Sequence, residues 1–194
     1  MKKVLIATTN IDKFKAVSKV FENTIFPKEE YIIESLSNIQ LNLKDEKEVG
    51  TNLERARTKA INAFNALKES DYNYDFVVGL DDALRVKGVL EANIKQHIDE
   101  ILYGNYFSEG EEYAFNRAYV IIDKNMKMYE TSIDIPYVYH RVNEKVQLKE
   151  HTYQLAIVAY SLGSDKPICE LDEKDEVEYY LRYVKEGLLS LGIR

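Results

Sequence analysis

The chain has no tryptophan, a single cysteine (Cys169), three prolines and eight glycines among its 194 residues. One cysteine rules out a disulfide within the chain, and so little proline and glycine leaves no flexible linker on which to divide it. No run approaches the roughly 20 apolar residues that span a bilayer, so no membrane contact is expected. Several catalytic signatures are missing too. There is no Walker loop, no Gly-x-Gly-x-x-Gly fingerprint, no Gly-x-Ser-x-Gly elbow and no His/Cys/carboxylate spacing suited to zinc. Cys169 has no evident base to activate it as a nucleophile. Nor is the chain basic: a net charge of −7 disfavours extended contact with a nucleic-acid backbone. That leaves room for a nucleotide held by a local basic site and a divalent cation. The apolar stretch Val4–Ala7 behind Met1-Lys2-Lys3 is too short for a signal peptide, and a cytoplasmic location is expected.

What is present is an ordinary globular balance, 45% hydrophobic and 30% charged, with fifteen tyrosines expected in the core or at an interface. Lys3–Ala7 reads as a buried strand, and Lys13–Glu22 as a helix with Phe14, Val17, Val20 and Phe21 inward. A further strand is expected near Ser35–Leu43, then a charged loop over Asp45–Glu48 ending at Gly50. Thr51-x-x-Glu54 matches a capping box, and Leu53, Ala56, Ala60, Ala63 and Leu67 follow at helical spacing. Phe76–Leu80 reads as a short strand that ends on Asp81-Asp82. Glu91–Leu102 is expected to be helical, Ala118–Asp123 and Met128–Asp134 paired strands, and Tyr153–Tyr160 another strand. Asp172–Leu191 reads as a final helix with Val177, Tyr180, Leu181, Val184 and Leu188 inward. The class is α/β, a mixed twisted sheet flanked by helices.

Three short stretches carry chemistry. Thr8-Thr9-Asn10 with Lys13 sits at a strand-to-helix junction, where backbone N–H groups and the helix dipole favour an anion; the same residues also suit a simple helix cap. Asp81 and Asp82, read at the carboxyl end of a strand, suit a hard cation such as Mg²⁺ or the orientation of a water, or else merely a solvated turn. Glu54 either completes a capping box or faces those two aspartates. Lys59, about 140° round the helix from Glu54, reads as a surface lysine, and Arg55 and Arg57 as solvated. Lys174 and Arg182 fall outside the apolar stripe of the last helix, where they are solubilising or reach a ligand.

The order of these pieces resembles the inosine/xanthosine triphosphate pyrophosphatase superfamily: Thr8-Thr9-Asn10 with Lys13, then Glu54-Arg55-Ala56-Arg57-Thr58-Lys59-Ala60, then Leu80-Asp81-Asp82, then Glu170-Leu171-Asp172-Glu173-Lys174. The resemblance implies one domain over residues 1–194 with two lobes, an elongated shape and a central cleft. It implies a homodimer and Mg²⁺-dependent hydrolysis of non-standard purine nucleoside triphosphates (ITP, dITP, XTP) to monophosphate and pyrophosphate. By position, Thr8, Thr9, Asn10 and Lys13 would cradle the triphosphate. Asp82 would be the catalytic acid with Lys13 beside it, and Glu54, Asp81 and Asp82 would hold Mg²⁺. Lys174 and Arg182 would approach the nucleotide, and Lys13 and Asp82 should then face one cleft. The chain also departs from the family pattern: Arg55 stands in place of the family's asparagine and Ala83 in place of its serine, while the Ser-His-Arg motif that reads the base is absent, Arg182 matching its arginine only with a two-residue shift. A nucleotide-binding or sensing protein of the same fold without catalysis is the alternative, and a dimeric interaction module a third.

Overall fold

The computed structural model describes residues 1–41, 43, 49–145 and 153–193. Among them are seven strands and four α-helices: β1 (Lys2–Ile6), α1 (Ile11–Glu22), β2 (Tyr31–Ser35), α2 (Asn52–Lys68), β3 (Phe76–Val86), β4 (Val89–Glu91), α3 (Ile94–Tyr103), β5 (Glu112–Asp123), β6 (Met128–Tyr139), β7 (Ala159–Tyr160) and α4 (Glu173–Leu189). The sheet order is β2-β1-β3-β5-β6-β7, with β4 beside β3. Strands β2, β1 and β3 pair in parallel, and β3, β5, β6 and β7 antiparallel, so the sheet is mixed as expected. No described helix is long and apolar enough to cross a membrane.

The local signals that start the helices work as the spacing predicts. Asn10 caps α1, its Oδ1 accepting from the Asp12 and Lys13 amides at 3.0 Å each. Thr51 Oγ1 accepts from Glu54 N at 3.3 Å while Glu54 Oε2 accepts from Thr51 N at 2.8 Å, closing the capping box. Gly50 turns at φ +89°, and a Cβ there would lie 2.4 Å from Glu54 Oε2, so the turn into the cap needs glycine. Thr51→Ala is expected to cost about 1 kcal/mol with the fold intact, read as a lower urea midpoint at unchanged slope.

Four expectations are corrected. The strand placed near Ser35–Leu43 is instead β2, where the β-favouring Tyr31-Ile32-Ile33 pair with β1, and Leu36–Asn38 form a 3₁₀ turn capped by Ser35. Helix α3 begins only at Ile94, because residues 89–91 pair with β3. Tyr153–Tyr160 is mostly a 3₁₀ segment (Gln154–Ile157) with a two-residue strand. Finally, β3 does not stop before its aspartates but runs through them to Val86. The charged loop over Asp45–Glu48 lies outside the described residues apart from its end at Gly50.

The alternation of β3 sets up the site. Val78, Leu80 and Leu84 face the main core beside α1, α4 and the tyrosines of β5 and β6. Val77 and Gly79 face α2, whose Ala56, Ala60 and Ala63 are fully buried. A Cβ on Gly79 would meet the Ala56 carbonyl oxygen at 2.0 Å and Ala60 N at 2.6 Å, so glycine alone lets the helix backbone rest on the strand.

Candidate functional site

Strand β1 pairs with β3 only as far as Ile6 beside Val78, and β4 joins β3 only at Leu84. Between them, residues 79–83 of β3 have no described strand partner on that edge, and both faces of the strand open into one cavity of about 740 Å³. That size suits a mononucleotide. Its lining combines two chemistries. Lys13, Lys59 and Arg117 stand near Asp81 and Asp82, and the lining also includes the apolar and aromatic Ile98, Phe115, Tyr153, Leu155, Val177 and Tyr180, with the Tyr180 ring against Arg117.

Asp82 lies between two of these cations. Its direct cross-strand partner on β5 is Arg117, which holds Oδ1 through Nε at 2.6 Å and reaches Oδ2 through Nη2 at 3.3 Å. Lys13, presented by the first turn of α1, reaches the same Oδ2 at 3.0 Å. The expectation that Lys13 and Asp82 meet in one cleft is met. Burial opposes charge on Asp82, but the pull of Arg117 and then Lys13, with their hydrogen bonds, outweighs it and holds the carboxyl well below the usual carboxylate range. Burial likewise works against the Arg117 cation, and Asp82 more than offsets it. The Tyr180 ring lies 5.5 Å from the Arg117 guanidinium carbon and backs the pair with its π face.

On the opposite face of β3, Asp81 is buried and accepts from Lys59 Nζ at 2.7 Å. Lys59 is therefore no surface lysine. It lies roughly 60° from Ala56 and 40° from Ala63, at the margin of the face that α2 lays on the sheet. Arg55 is not solvated either: it donates to the Gly50 and Ala92 carbonyls at 3.0 and 2.9 Å and to Asn93 Oδ1 at 2.6 Å, tying α2 to the segment before α3. Arg57 forms a two-pronged pair with Glu130 on β6, at 2.6 and 2.9 Å.

Other expected site residues are placed apart. Asn10 lines the cavity, but its side chain occupies the α1 amides that an anion would use, and Thr8 and Thr9 lie off the cavity wall. Thr8 Oγ1 accepts from Asn10 N at 3.2 Å. Lys174 is exposed and reaches Glu178 at 3.8 Å, and Arg182 packs on the Tyr179 ring. Both leave the cavity to the face of α4 that carries Glu173, Glu176, Val177 and Tyr180. Glu54 turns back on Thr51 and is absent from the lining.

These positions bear directly on Mg²⁺. Asp81 and Asp82 point to opposite faces of β3, each already bonded to a cation, and Glu54 is committed to its cap. Among the described residues no group of three acidic, His or Cys side chains is arranged to hold a metal. A magnesium ion asks for near-octahedral oxygen ligands and gives up water reluctantly, so this donor set does not fit one as it stands.

Arg117 is a site residue that the motifs do not point to, although its signal is legible. On β5 it shares the inward face with Phe115, Tyr119 and Ile121, and a lone arginine among buried apolar neighbours requires a buried carboxylate opposite.

No protein-family model matches the chain, and no curated protein matches it either. Solved structures do resemble it. A nucleoside-triphosphatase / dITP/XTP pyrophosphatase from Mycobacterium abscessus aligns over 97% of this chain and 98% of its own at 14% identity and TM-score 0.59. A Ham1 protein from Staphylococcus aureus aligns over 98% and 97% at 16% identity and TM-score 0.59. A HAM1 protein from Coxiella burnetii aligns over 98% of both chains at 15% identity and TM-score 0.62. At such identities the likeness is one of fold: the chain shares the mixed α/β fold of these three proteins over nearly its whole length.

Proposed function

We propose that the cleft binds a nucleoside triphosphate and hydrolyses it to the monophosphate and pyrophosphate, acting on non-standard purine nucleotides such as ITP, dITP and XTP. The observation that carries this reading is the meeting of Lys13 and Asp82 at 3.0 Å, in a cavity lined by further cations and by aromatic side chains. The cations suit the phosphates and the aromatic side chains suit a planar base. Hydrolysis at phosphorus depends on neutralising charge and placing a water in line, and fixed cations supply the first. Asp82, held ionised, is too weak a base to strip a proton at neutral pH, so its part is to orient the water as an acceptor while Lys13 faces the phosphate oxygens. No step is routed through a metal, because the residues present do not form its shell.

The test is a panel of standard and non-standard triphosphates, incubated with and without Mg²⁺, with released pyrophosphate and orthophosphate measured separately. Pyrophosphate from ITP or XTP, abolished in an Asp82→Asn variant whose circular dichroism shows a retained fold, supports the reading. Orthophosphate alone, or no turnover, sinks it. One observation favours a second reading, a binding protein without catalysis. Both oxygens of Asp82 already accept hydrogen bonds or an ion pair, which leaves little of the carboxylate for water. Tight ITP binding without turnover identifies that case.

A further inference from the structure

The cleft already contains the positive charge that a divalent cation would bring. Among the described residues seven basic and five acidic side chains line it, on a chain whose net charge is −7. Asp82 is gripped on both oxygens by Arg117 and Lys13, and Asp81 by Lys59. Arg117 is well anchored, with only 12% of its side chain exposed and the Tyr180 ring against it. A guanidinium carries five N–H donors, more than the two that Asp82 takes and the bond to Tyr119 together, and its planar fork matches phosphate oxygens. A metal at Asp82 would have to compete with both cations for its two oxygens.

We propose that this cleft takes its oligophosphate ligand without a divalent cation, Arg117 neutralising both the Asp82 carboxylate and the incoming phosphates. The proposal rests on the nucleotide reading above and specifies the ligand's form: the free polyphosphate anion rather than its magnesium complex. Lys13 and Lys59, on the two faces of β3, complete a clamp of three cations around the open edge of that strand.

Calorimetric titration of ITP into the full chain, once in EDTA and once in Mg²⁺, tests it. Affinity in EDTA is expected to lie within about threefold of that in Mg²⁺. Arg117→Gln is expected to weaken binding in EDTA by about tenfold or more, the size of a lost charge-assisted hydrogen bond. Mg²⁺ should then restore most of that loss, because the released carboxylate can accept the ion. Arg117→Lys, which keeps the charge, should stay metal-independent, and it decides the matter if Arg117→Gln fails to fold. Wild-type binding that drops about tenfold in EDTA overturns the proposal and leaves the nucleotide reading standing. The proposal fails in the same way if Arg117→Gln keeps the wild-type metal profile, or if Arg117→Lys binds only with Mg²⁺. Absence of binding in both buffers overturns the nucleotide reading and this proposal together.

Discussion

Asp82→Asn is expected to lower folding stability by about 3–5 kcal/mol, one of the two largest single-residue losses expected in this chain. The reason is what the substitution leaves behind. Arg117 is 12% exposed at its side chain, directly across the strand pair from Asp82, and its charge has been taken out of water on the strength of that carboxylate. Asparagine offers one carbonyl oxygen and no charge, so the guanidinium stays buried and uncompensated. Urea unfolding followed by far-ultraviolet circular dichroism reads the loss directly, since there is no tryptophan to serve as a fluorescent probe. Replacing both partners, as Asp82→Leu with Arg117→Met, should recover all but about 1–2 kcal/mol, because an apolar pair removes the desolvation problem with the charges. A double variant no more stable than the single one would show that the loss came from packing.

The acid limb supplies a second readout of the same pair. In the unfolded chain Asp82 should titrate near the ordinary carboxylate value of about 3.9. In the fold its pKa is depressed. A depressed carboxylate contributes stability that is complete above its unfolded pKa and lost as pH falls towards the folded one. The stability difference between wild type and Asp82→Asn is therefore expected to be constant through neutral pH and to shrink below about pH 4. Curves that stay parallel to the lowest accessible pH would show that ionisation of Asp82 is not what holds the pair.

How far this arrangement is legible in the sequence depends on the range of each interaction. Asn10 and Thr51 announce helix starts because a cap involves residues three apart, and Ala56, Ala60 and Ala63 show the buried face of α2 by spacing alone. Of the motif residues Lys13, Glu54, Asp81 and Asp82, the structure brings Lys13 and Asp82 into contact and leaves Glu54 on its cap. What fails are inferences in which charge is taken for exposure. Two adjacent aspartates read as the end of a strand. They lie inside one because Arg117, 35 residues away, and Lys59, 22 residues away, neutralise them from separate elements. Lys59 misleads when its angle is taken from Glu54, which the cap turns outward, instead of from the alanine face it borders. Motif position places Lys174 and Arg182 at the ligand, but their helix turns other residues to the cavity. Polar partners distant in sequence leave no local periodicity, so only the demand that a buried charge be paired can reveal them.

Gly79→Val is expected to cost more than about 4 kcal/mol or to prevent folding outright. A Cβ at this position would sit 2.0 Å from a helix carbonyl oxygen and 2.6 Å from a helix amide nitrogen. These are backbone atoms of α2, with no flexible side-chain end to swing away. The helix cannot easily retreat as a body either. Asn52, buried at its first residue, donates to the Asn116 backbone oxygen and Oδ1 on β5 at 2.9 and 2.8 Å, and Arg57 grips Glu130 on β6. Gly79→Ala should be milder but still clearly destabilising, since it places the same Cβ without the extra methyls. Gly88→Ala provides the contrast. Its φ of +83° makes alanine strained, but nothing lies within 4 Å, and the expected loss is only about 1 kcal/mol. The same variants connect packing to the site. Because α2 carries Lys59 to Asp81, any Gly79→Ala protein that folds should have its helix displaced from β3 and the 2.7 Å contact stretched. Its ITP affinity should therefore fall by about tenfold, while Gly88→Ala binds as wild type does. Equal affinities for the two variants would show that the seating of α2 on Gly79 does not position Lys59 for the ligand.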